Sequence, residues 1–172
     1  MRNLIVALMF SLMGFAASAE DFSFPSIDGG DIALSDYHGG PVLVVNTASR
    51  CGYTYQYKGL QALYDQYRDK GLTVLAVPSR SFRQELTSNE AVKEFCEVTY
   101  GLDLPMTEVT PVTGPKAHPF YQWVEAETGF APSWNFNKVL LDGEGRIIAT
   151  YRSRDNPTGG QIERAVVSLL GS

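Results

Sequence analysis

Two continuous apolar runs, residues 41–46 and 72–77, stand out in the pattern of hydrophobic and polar positions. Runs without polar alternation are typical of strands that are buried on both faces of a sheet. The segment between them has apolar residues at helical spacing and ends near Gly71, a residue type that often terminates helices. This segment therefore predicts a helix whose apolar stripe is formed by Leu60, Leu63, Tyr64 and Tyr67.

The rest of the pattern predicts two hairpins and three more helices. Alternating residues flank Asp28-Gly-Gly30, which predicts an N-terminal hairpin, and two apolar runs flank Asp142-Gly-Glu-Gly145, which predicts a second one. Thr87 and Glu90 have the spacing of a capping box, so a helix is expected to begin there. Two later helices are expected, one over residues 118–127 and one along the apolar stripe of Ile162, Ala165, Val166, Leu169 and Leu170.

The order of these elements predicts an α/β fold. Two strands joined by a helix run parallel with a right-handed crossover, and the later hairpin adds antiparallel strands to the edge of the same sheet. The expected architecture is a thioredoxin-like mixed sheet flanked by helices, with an N-terminal β-hairpin. Open sheets of this kind place their chemistry beyond the C-terminal ends of the parallel strands. In this chain those ends are the loops over residues 47–54 and 78–87.

Residues 1–19 are expected to be a cleaved secretory signal. Arg2 gives a positive start, an apolar run covers residues 4–16, and Ala17-Ser-Ala19 has the small-x-small pattern that signal peptidase recognises. The run is short for the roughly 20 residues of a membrane span. We therefore expect one mature domain over residues 20–172, located in the periplasm and without a stable membrane anchor after cleavage.

Composition excludes several classes of function. The chain has 172 residues, with 14 Lys+Arg against 19 Asp+Glu, 2 His and 2 Cys. The acidic balance and the absence of a basic stripe in the sequence argue against a nucleic-acid partner. The His and Cys residues lack the spacing of metal ligands, so no metal and no other cofactor is predicted.

Cys51 is the residue in these loops that carries chemistry. It follows a predicted buried strand and directly precedes a predicted helix, where backbone N–H groups and the helix dipole favour a thiolate over a thiol. The alternative is a structural cysteine. Thr54 occupies the position of the second sulfur of a C-x-x-C motif, so thiol exchange within one such motif is excluded.

Two motifs resemble those of the glutathione peroxidases. The segment Val45-Asn-Thr-Ala-Ser-Arg-Cys51-Gly-Tyr-Thr54 is similar to the family's cysteine loop, with cysteine in place of selenocysteine. Trp134-Asn-Phe-Asn-Lys138 is similar to the family's Trp-Asn-Phe-x-Lys signature. Residues 78–90 and 100–106 resemble further family segments, in the family order, so the resemblance covers essentially the whole mature chain.

The resemblance implies a thiol peroxidase that acts in the response to oxidative stress, with Cys51 as the peroxidatic cysteine. The Cys51 thiolate would attack the O–O bond of hydrogen peroxide or of an organic or lipid hydroperoxide, leaving a sulfenic acid and water or an alcohol. Trp134 and Asn135 match the catalytic Trp and Asn of the family. Both side chains carry N–H groups that can donate to a thiolate or to a departing oxygen.

One segment departs from the family pattern. Where the family has Pro-x-Asn-Gln-Phe with a catalytic Gln, this chain reads Pro78-Ser-Arg-Ser-Phe82 and is then one residue shorter. Ser81 therefore takes the position of the Gln, and Arg80 takes that of the Asn. Because a lost donor of this kind typically costs about 10²–10³ in rate, we expect a modified or slower peroxidase. Arg80 and Gln84 are the candidates for a replacement.

Cys96 resembles the resolving cysteine of family members that use thioredoxin as reductant. In that role it would condense with a sulfenic acid at Cys51 to form a disulfide, after local unwinding of its helix. Two alternatives stay open from the residues alone. Cys96 is then either half of a static disulfide in an oxidising compartment or an inert buried thiol.

The expected partners are a peroxide substrate and a reductant, either glutathione or a thioredoxin-like protein. Arg50 and Arg80 are candidate substrate-binding residues, because a site for the glutathione anion needs cations. The segment over residues 121–134 has no room for the insertion that tetrameric family members use for assembly, which favours a monomer. His38 and His118 are expected to be structural.

Two other functions are compatible with the sequence. A non-catalytic redox sensor or binding module would keep the fold and Cys51 but would have lost turnover together with the Gln. A thioredoxin-like disulfide reductase is disfavoured by Thr54. Repeated oxidation in the presence of a reducing system distinguishes an enzyme from a sensor, and an insulin-reduction assay detects a reductase.

Overall fold

The structure is a computed structural model that describes residues 18–19 and 22–171. Most of the expected signal, residues 1–17, lies outside the described residues. Ser18 and Ala19 are described, and both contact the turn at residues 142–145, with a hydrogen bond of 2.9 Å from the Ala19 N–H to the Gly145 carbonyl. No helix in the described part of the chain is long and apolar enough to cross a membrane.

A four-stranded mixed sheet forms the centre of the molecule, in the order β4-β3-β5-β6. Strands β3 and β4 run parallel, and β5 and β6 are added antiparallel beyond β3. Every residue of β3, β4 and β5 is buried, as their continuous apolar runs predict, whereas β6 is the partly exposed edge strand. The strands are β3 (Val42–Thr47), β4 (Thr73–Pro78), β5 (Lys138–Leu141) and β6 (Ile147–Tyr151).

The N-terminal hairpin is confirmed as a separate two-stranded sheet. It consists of β1 (Ser23–Pro25) and β2 (Asp31–Ala33), which pair antiparallel. A short 3-10 helix, Leu34–Tyr37, leads from the hairpin to the central sheet. The thioredoxin-like mixed sheet with an N-terminal hairpin is therefore the observed fold.

All four predicted helices are present, and their ends follow ordinary capping chemistry. Gly71 ends the first helical segment with a left-handed φ of 107°, after a 3-10 turn at Arg68–Lys70. His118 caps the third helix, because its Nδ1 accepts the N–H of Phe120 at 3.3 Å, which fits its expected structural role. The helices are α1 (Gln56–Tyr67), α2 (Asn89–Tyr100), α3 (Pro119–Thr128) and α4 (Gln161–Leu170).

Two local predictions were wrong. The N-cap of α2 is Ser88 and not Thr87, since the Ser88 hydroxyl accepts the N–H of Ala91 at 3.2 Å. Cys51 does not directly precede a helix, because α1 begins at Gln56. Hydrogen-bonded turns fill the intervening residues, including one from the Thr54 N–H to the Cys51 carbonyl at 3.1 Å. The helix dipole of α1 therefore begins farther from the sulfur than the sequence suggests.

The sheet separates two hydrophobic cores. On one side, apolar residues of α1, α2 and α4 pack against the sheet, and on the other side α3 and the N-terminal hairpin do so. Cys51 and Cys96 both belong to the first core. The two thiols thus share one side of the molecule.

Candidate active site

Cys51 lies in the loop that follows β3. Its side chain is 4% exposed, and its sulfur accepts the backbone N–H of Tyr53 at 3.5 Å. A backbone N–H that points at sulfur stabilises a thiolate more than a thiol, because the donated bond is stronger to an anion. The turn that follows Cys51 therefore supplies the N–H donor, whereas the sequence predicted that the N-terminus of α1 would supply it.

A second loop, residues 80–86, accepts hydrogen bonds from two backbone N–H groups of the cysteine loop. The Arg50 N–H donates to the Gln84 carbonyl at 2.9 Å, and the Ser49 N–H donates to Glu85 Oε1 at 3.0 Å. The same Glu85 oxygen accepts the N–H of Leu86 at 2.8 Å. The two loops that were expected to meet beyond the parallel strands do meet, and their contacts lie directly before Cys51.

The third component is the turn over residues 134–137, which Asn46 ties to the end of β3. Its side-chain Nδ2 donates to the Trp134 carbonyl at 3.0 Å, and its Oδ1 accepts the Asn137 N–H at 3.1 Å. The Phe136 N–H donates to the Asn46 carbonyl at 2.6 Å, and Phe136 has a positive φ of 61°. A non-glycine residue with such a φ is strained, and the bonds to Asn46 hold the turn in this conformation.

Trp134 and Asn135 differ in their exposure. The Asn135 side chain is fully buried, and its Nδ2 donates to Gln84 Oε1 at 2.9 Å. Trp134 is 40% exposed, and its ring lies against the ring of Phe82, with centroids 5.5 Å apart. Asn135 is therefore held in the interior by its bond to Gln84, while Trp134 lies at the surface.

Ser81 and Arg80 make hydrogen bonds to groups other than the Trp134–Asn135 motif. The Ser81 hydroxyl oxygen accepts the Val112 N–H at 3.0 Å and also bonds to the Ser79 hydroxyl at 3.0 Å. The Arg80 guanidinium donates to the Leu86 carbonyl at 2.9 Å and to the Thr87 carbonyl. In contrast, Gln84 reaches Asn135. The structure thus brings Gln84, and not Ser81, to the carboxamide of the signature motif.

Arg50 is exposed next to Cys51, and its backbone is bonded to Gln84. Its guanidinium makes no hydrogen bond or ion pair within the described ranges. This leaves it available to an anionic ligand.

The last residue of the signature motif, Lys138, links three segments next to the site by hydrogen bonds. Its fully buried ammonium donates to Gln56 Oε1 and to the Asp155 carbonyl, both at 2.6 Å, and it lies 3.5 Å from the Ser153 carbonyl. Burial lowers the pKa of Lys138 to about 8, although the charge of Asp155 opposes this. The side chain therefore joins β5 to the start of α1 and to the segment after β6.

Cys96 lies behind these loops as a fully buried free thiol, and Cys51 is free as well. Burial raises the pKa of the Cys96 thiol to about 12, while the neighbouring Tyr57 hydroxyl works in the opposite direction. Burial also raises the pKa of Glu85, whose Oε2 has no hydrogen-bond partner among the described residues. In this conformation Cys96 is a buried thiol with a raised pKa, and no disulfide joins it to Cys51.

Neither Glu85 nor the hydrogen bonds of Lys138 could be predicted from the sequence, which suggested Gln84 only as one option. A buried carboxylate has no periodic signal, and its role depends on backbone N–H groups that the sequence does not locate. Among residues 18–19 and 22–171, no group of three or more His, Cys, Asp or Glu side chains is placed to hold a metal ion. The arrangement is suited to thiol chemistry: a buried cysteine with a backbone donor, beside a buried carboxamide and an exposed indole, on a thioredoxin-like sheet.

Comparisons with known proteins identify the family. The glutathione peroxidase family model matches residues 19–125. The chain is 39% identical to the glutathione peroxidase of Lactococcus lactis subsp. cremoris over 155 residues, which cover 87% of this chain and 98% of that protein. It is 42% identical over 147 residues to the hydroperoxy fatty acid reductase gpx1 of Synechocystis sp., with 79% and 87% covered.

Among solved structures, T. cruzi GPX1 is 32% identical and superimposes with a TM-score of 0.72, over 91% of this chain and 98% of that chain. The fold and site thus define a thiol-dependent oxidoreductase of the thioredoxin-like class. Within that class, the chain belongs to the glutathione peroxidase family, and it is a peroxidase.

Proposed function

We propose that this chain is an exported peroxidase that uses Cys51 as its attacking thiolate. The observation that carries this proposal is the Cys51 sulfur, which accepts a backbone N–H where the cysteine loop meets the loop over residues 80–86. The thiolate attacks one oxygen of a hydroperoxide ROOH, the O–O bond breaks, and the departing oxygen takes a proton. The products are a sulfenic acid at Cys51 and ROH, which is water when the substrate is hydrogen peroxide.

Asn135 and Trp134 are the proposed donors to the departing oxygen. Negative charge develops on that oxygen as the O–O bond breaks, and an N–H that is already in place stabilises it most where water is excluded. The complete burial of Asn135 and its fixed bond to Gln84 support this role. The half-exposed ring of Trp134 supports a position at the outer side of the same site.

Cys96 is the proposed resolving residue. Its sulfur bonds to the sulfur of the Cys51 sulfenic acid, a disulfide forms, and the hydroxyl leaves as water with the proton of the Cys96 thiol. Two thiols of the reductant then reduce this disulfide and become a disulfide themselves. We favour a thioredoxin-like protein over glutathione as the reductant. A site for the glutathione anion needs several cations, and the guanidinium of Arg80 is already bonded to the Leu86 and Thr87 carbonyls. Of the two candidate binding residues, only Arg50 is then available.

The proposed substrates include lipid hydroperoxides. The name of the Synechocystis relative, a hydroperoxy fatty acid reductase, supports this class, as do the exposed aromatic side chains of Tyr55 (57%) and Trp134 (40%) near the site. The small-x-small pattern before Glu20 supports export to the periplasm and a mature chain without a membrane anchor. The short segment over residues 121–134 supports a monomer.

Stopped-flow tryptophan fluorescence tests the proposal. Reduced protein is mixed with hydrogen peroxide and, separately, with a phospholipid hydroperoxide. We expect a fast phase that is lost in Cys51→Ser and retained in the matched control Cys96→Ser. Cys96→Ser should stop forming the intramolecular disulfide that mass spectrometry detects in the wild type. A wild-type rate no faster than that of a free thiol would contradict the proposal and favour the non-catalytic binding module.

A further inference from the structure

The loop over residues 80–86 has an unusual backbone. The Arg83 N–H closes a turn onto the Arg80 carbonyl at 2.9 Å, and Arg83 itself has a positive φ of 58°. A large non-glycine residue adopts this conformation at a cost, which the surrounding contacts must offset. The turn reverses the chain and directs Gln84 toward the cysteine loop and the turn over residues 134–137.

Gln84 bonds to both of these neighbours with different groups. Its backbone carbonyl accepts the N–H of Arg50 at 2.9 Å, and its side-chain Oε1 accepts Nδ2 of Asn135 at 2.9 Å. A side-chain substitution leaves the backbone bond to Arg50 in place. The side chain of Gln84 can therefore be tested separately from the anchoring of the loop.

The carboxamide of Asn135 has no other hydrogen bond that fixes its orientation. Its Oδ1 is buried and lacks a partner in the described part of the chain, although the backbone carbonyl of Asn135 accepts the Ser153 hydroxyl at 2.6 Å. Rotation of a primary amide by half a turn exchanges its nitrogen and its oxygen. A partner that presents an acceptor at the point of contact keeps the nitrogen on its own side, and Gln84 presents its Oε1 there.

We infer that Gln84 is a positioning residue for the peroxidase reaction, because its Oε1 holds the Asn135 carboxamide with the nitrogen toward Gln84, whose backbone is bonded to the cysteine loop. One N–H of Asn135 is bound by Gln84, and the second is free to donate to the departing oxygen. Without this contact the amide turns over, and its oxygen repels the charge that develops in the transition state. The inference rests on the proposed function of Asn135.

Gln84 thus compensates for the Gln that Ser81 replaces, but by a different route. Gln84 does not itself donate to the reacting atoms in this scheme; it acts through Asn135. Ser81 does not take this part, since its hydroxyl is bonded to the Val112 N–H and the Ser79 hydroxyl.

A double-mutant cycle tests the inference. Reduced wild type, Gln84→Leu, Asn135→Ala and the double variant are compared in their rate with hydrogen peroxide and in their alkylation by iodoacetamide over a range of pH. We expect Gln84→Leu to lower the peroxide rate by about 10–100-fold, with the alkylation pH profile unchanged, because alkylation needs only the thiolate. The double variant should react at the rate of Asn135→Ala.

Two further variants complete the test. Gln84→Glu keeps an acceptor for Asn135 and should restore most of the peroxide rate. Gln122→Leu removes an equivalent side-chain amide bond in α3, to the Ala117 carbonyl at 2.7 Å, and should behave as the wild type does.

Independent, multiplicative losses in the double variant would overturn the inference, as would a wild-type rate in Gln84→Leu. A wild type without a fast phase that depends on Cys51 would instead contradict the proposed function itself. The two failures are therefore distinguishable in one set of measurements.

Discussion

Glu85 is the least expected residue near Cys51, because it is a buried carboxylate that makes no direct ion pair in the part of the chain that the structure describes. It is 7% exposed, one oxygen accepts two backbone N–H groups, and the other oxygen has no partner in the described ranges. Burial is the main cause that raises its pKa above the ordinary 4.5, and the hydrogen bonds from residues 49 and 86 and the charge of Arg80 counteract it. The carboxylate fastens the cysteine loop at a cost in desolvation.

We expect Glu85→Gln to stabilise the protein at neutral pH. The native state holds the Glu85 proton to a higher pH than the unfolded state, so the free energy of unfolding of the wild type falls as pH rises above 4.5. The amide keeps an oxygen for the two N–H groups but carries no charge to desolvate. The advantage of the variant should therefore grow with pH and then level off above the native pKa.

Urea unfolding between pH 4 and pH 8 measures this difference. Glu94→Gln, at an exposed position of α2, is the control and should show no such trend. A Glu85→Gln variant that is equally or more destabilised at neutral pH than at pH 4 would contradict the explanation.

At the residue scale, the sequence proposed Cys51, Trp134 and Asn135 as candidate site residues because motifs of fixed spacing carry them. It could not identify the pair of Gln84 and Asn135, which are far apart in the chain and depend on a left-handed turn at Arg83. Arg is not a residue whose presence predicts a positive φ. Ser81 occupies the sequence position of the family Gln, but this position does not predict its contacts, because they also depend on how the loop folds.

At the scale of elements, the starts of β3 and β4 approach each other closely. The Thr73 N–H donates to the Pro41 carbonyl at 3.0 Å, and just before this pair Gly40 packs on Gly71. A Cβ atom placed on Gly40 would lie 2.1 Å from the Gly71 carbonyl oxygen. The parallel pair β3–β4, which carries the cysteine loop, therefore requires a glycine at its entrance.

We expect Gly40→Ala to destabilise the protein by about 3 kcal/mol or more, since the atom that clashes belongs to the backbone and cannot move aside alone. Thermal or urea unfolding measures the change. Gly171→Ala is a matched control, because its Cβ would lie at an ordinary 3.6 Å from the nearest atom, the Val167 carbonyl oxygen. Equal stability of the two variants would show that the entrance can rearrange.

Helices and strands were predictable because each has a strong pattern: buried runs for β3 and β4 and apolar stripes for the helices. The starts of α1 and α2 were not. The turns over residues 52–55 have no sequence periodicity, and Thr87 and Ser88 are equally good caps by residue type. Only the packing of the preceding loops decides between them.

At the scale of the whole molecule, both cysteines lie on the same side of the sheet, but Cys96 is fully enclosed by the first core. A thiol with a pKa of about 12 is a poor nucleophile at neutral pH. Opening of α2 would return the thiol to water, lower its pKa toward the ordinary value and bring it within reach of Cys51. Resolution of the sulfenic acid is therefore expected to be coupled to local unfolding of α2.

Amide hydrogen exchange after one equivalent of peroxide tests this coupling. We expect Asn89–Tyr100 to lose protection when the disulfide forms, while Pro119–Thr128, on the other side of the sheet, keeps its protection. In Cys96→Ser, peroxide should leave both helices as they are. Unchanged protection of α2 in the oxidised wild type would show that the resolving role belongs to another thiol, such as that of the reductant.

The position of β6 at the end of the sheet has a consequence for how copies of the protein meet each other. Its outer row of backbone groups has no strand partner among the described residues, and Ile147–Tyr151 is rich in residues that favour β structure. Such an edge invites a strand from a neighbouring chain, which is the first step of aggregation. Here β6 is short, and three features lie next to it. These are a bulge in β5 at Leu140/Leu141, an ion pair between Arg146 and Asp142 just before β6, and Arg152 just after it. These features interrupt the exposed edge of β6 and therefore hinder its pairing with a strand of another copy.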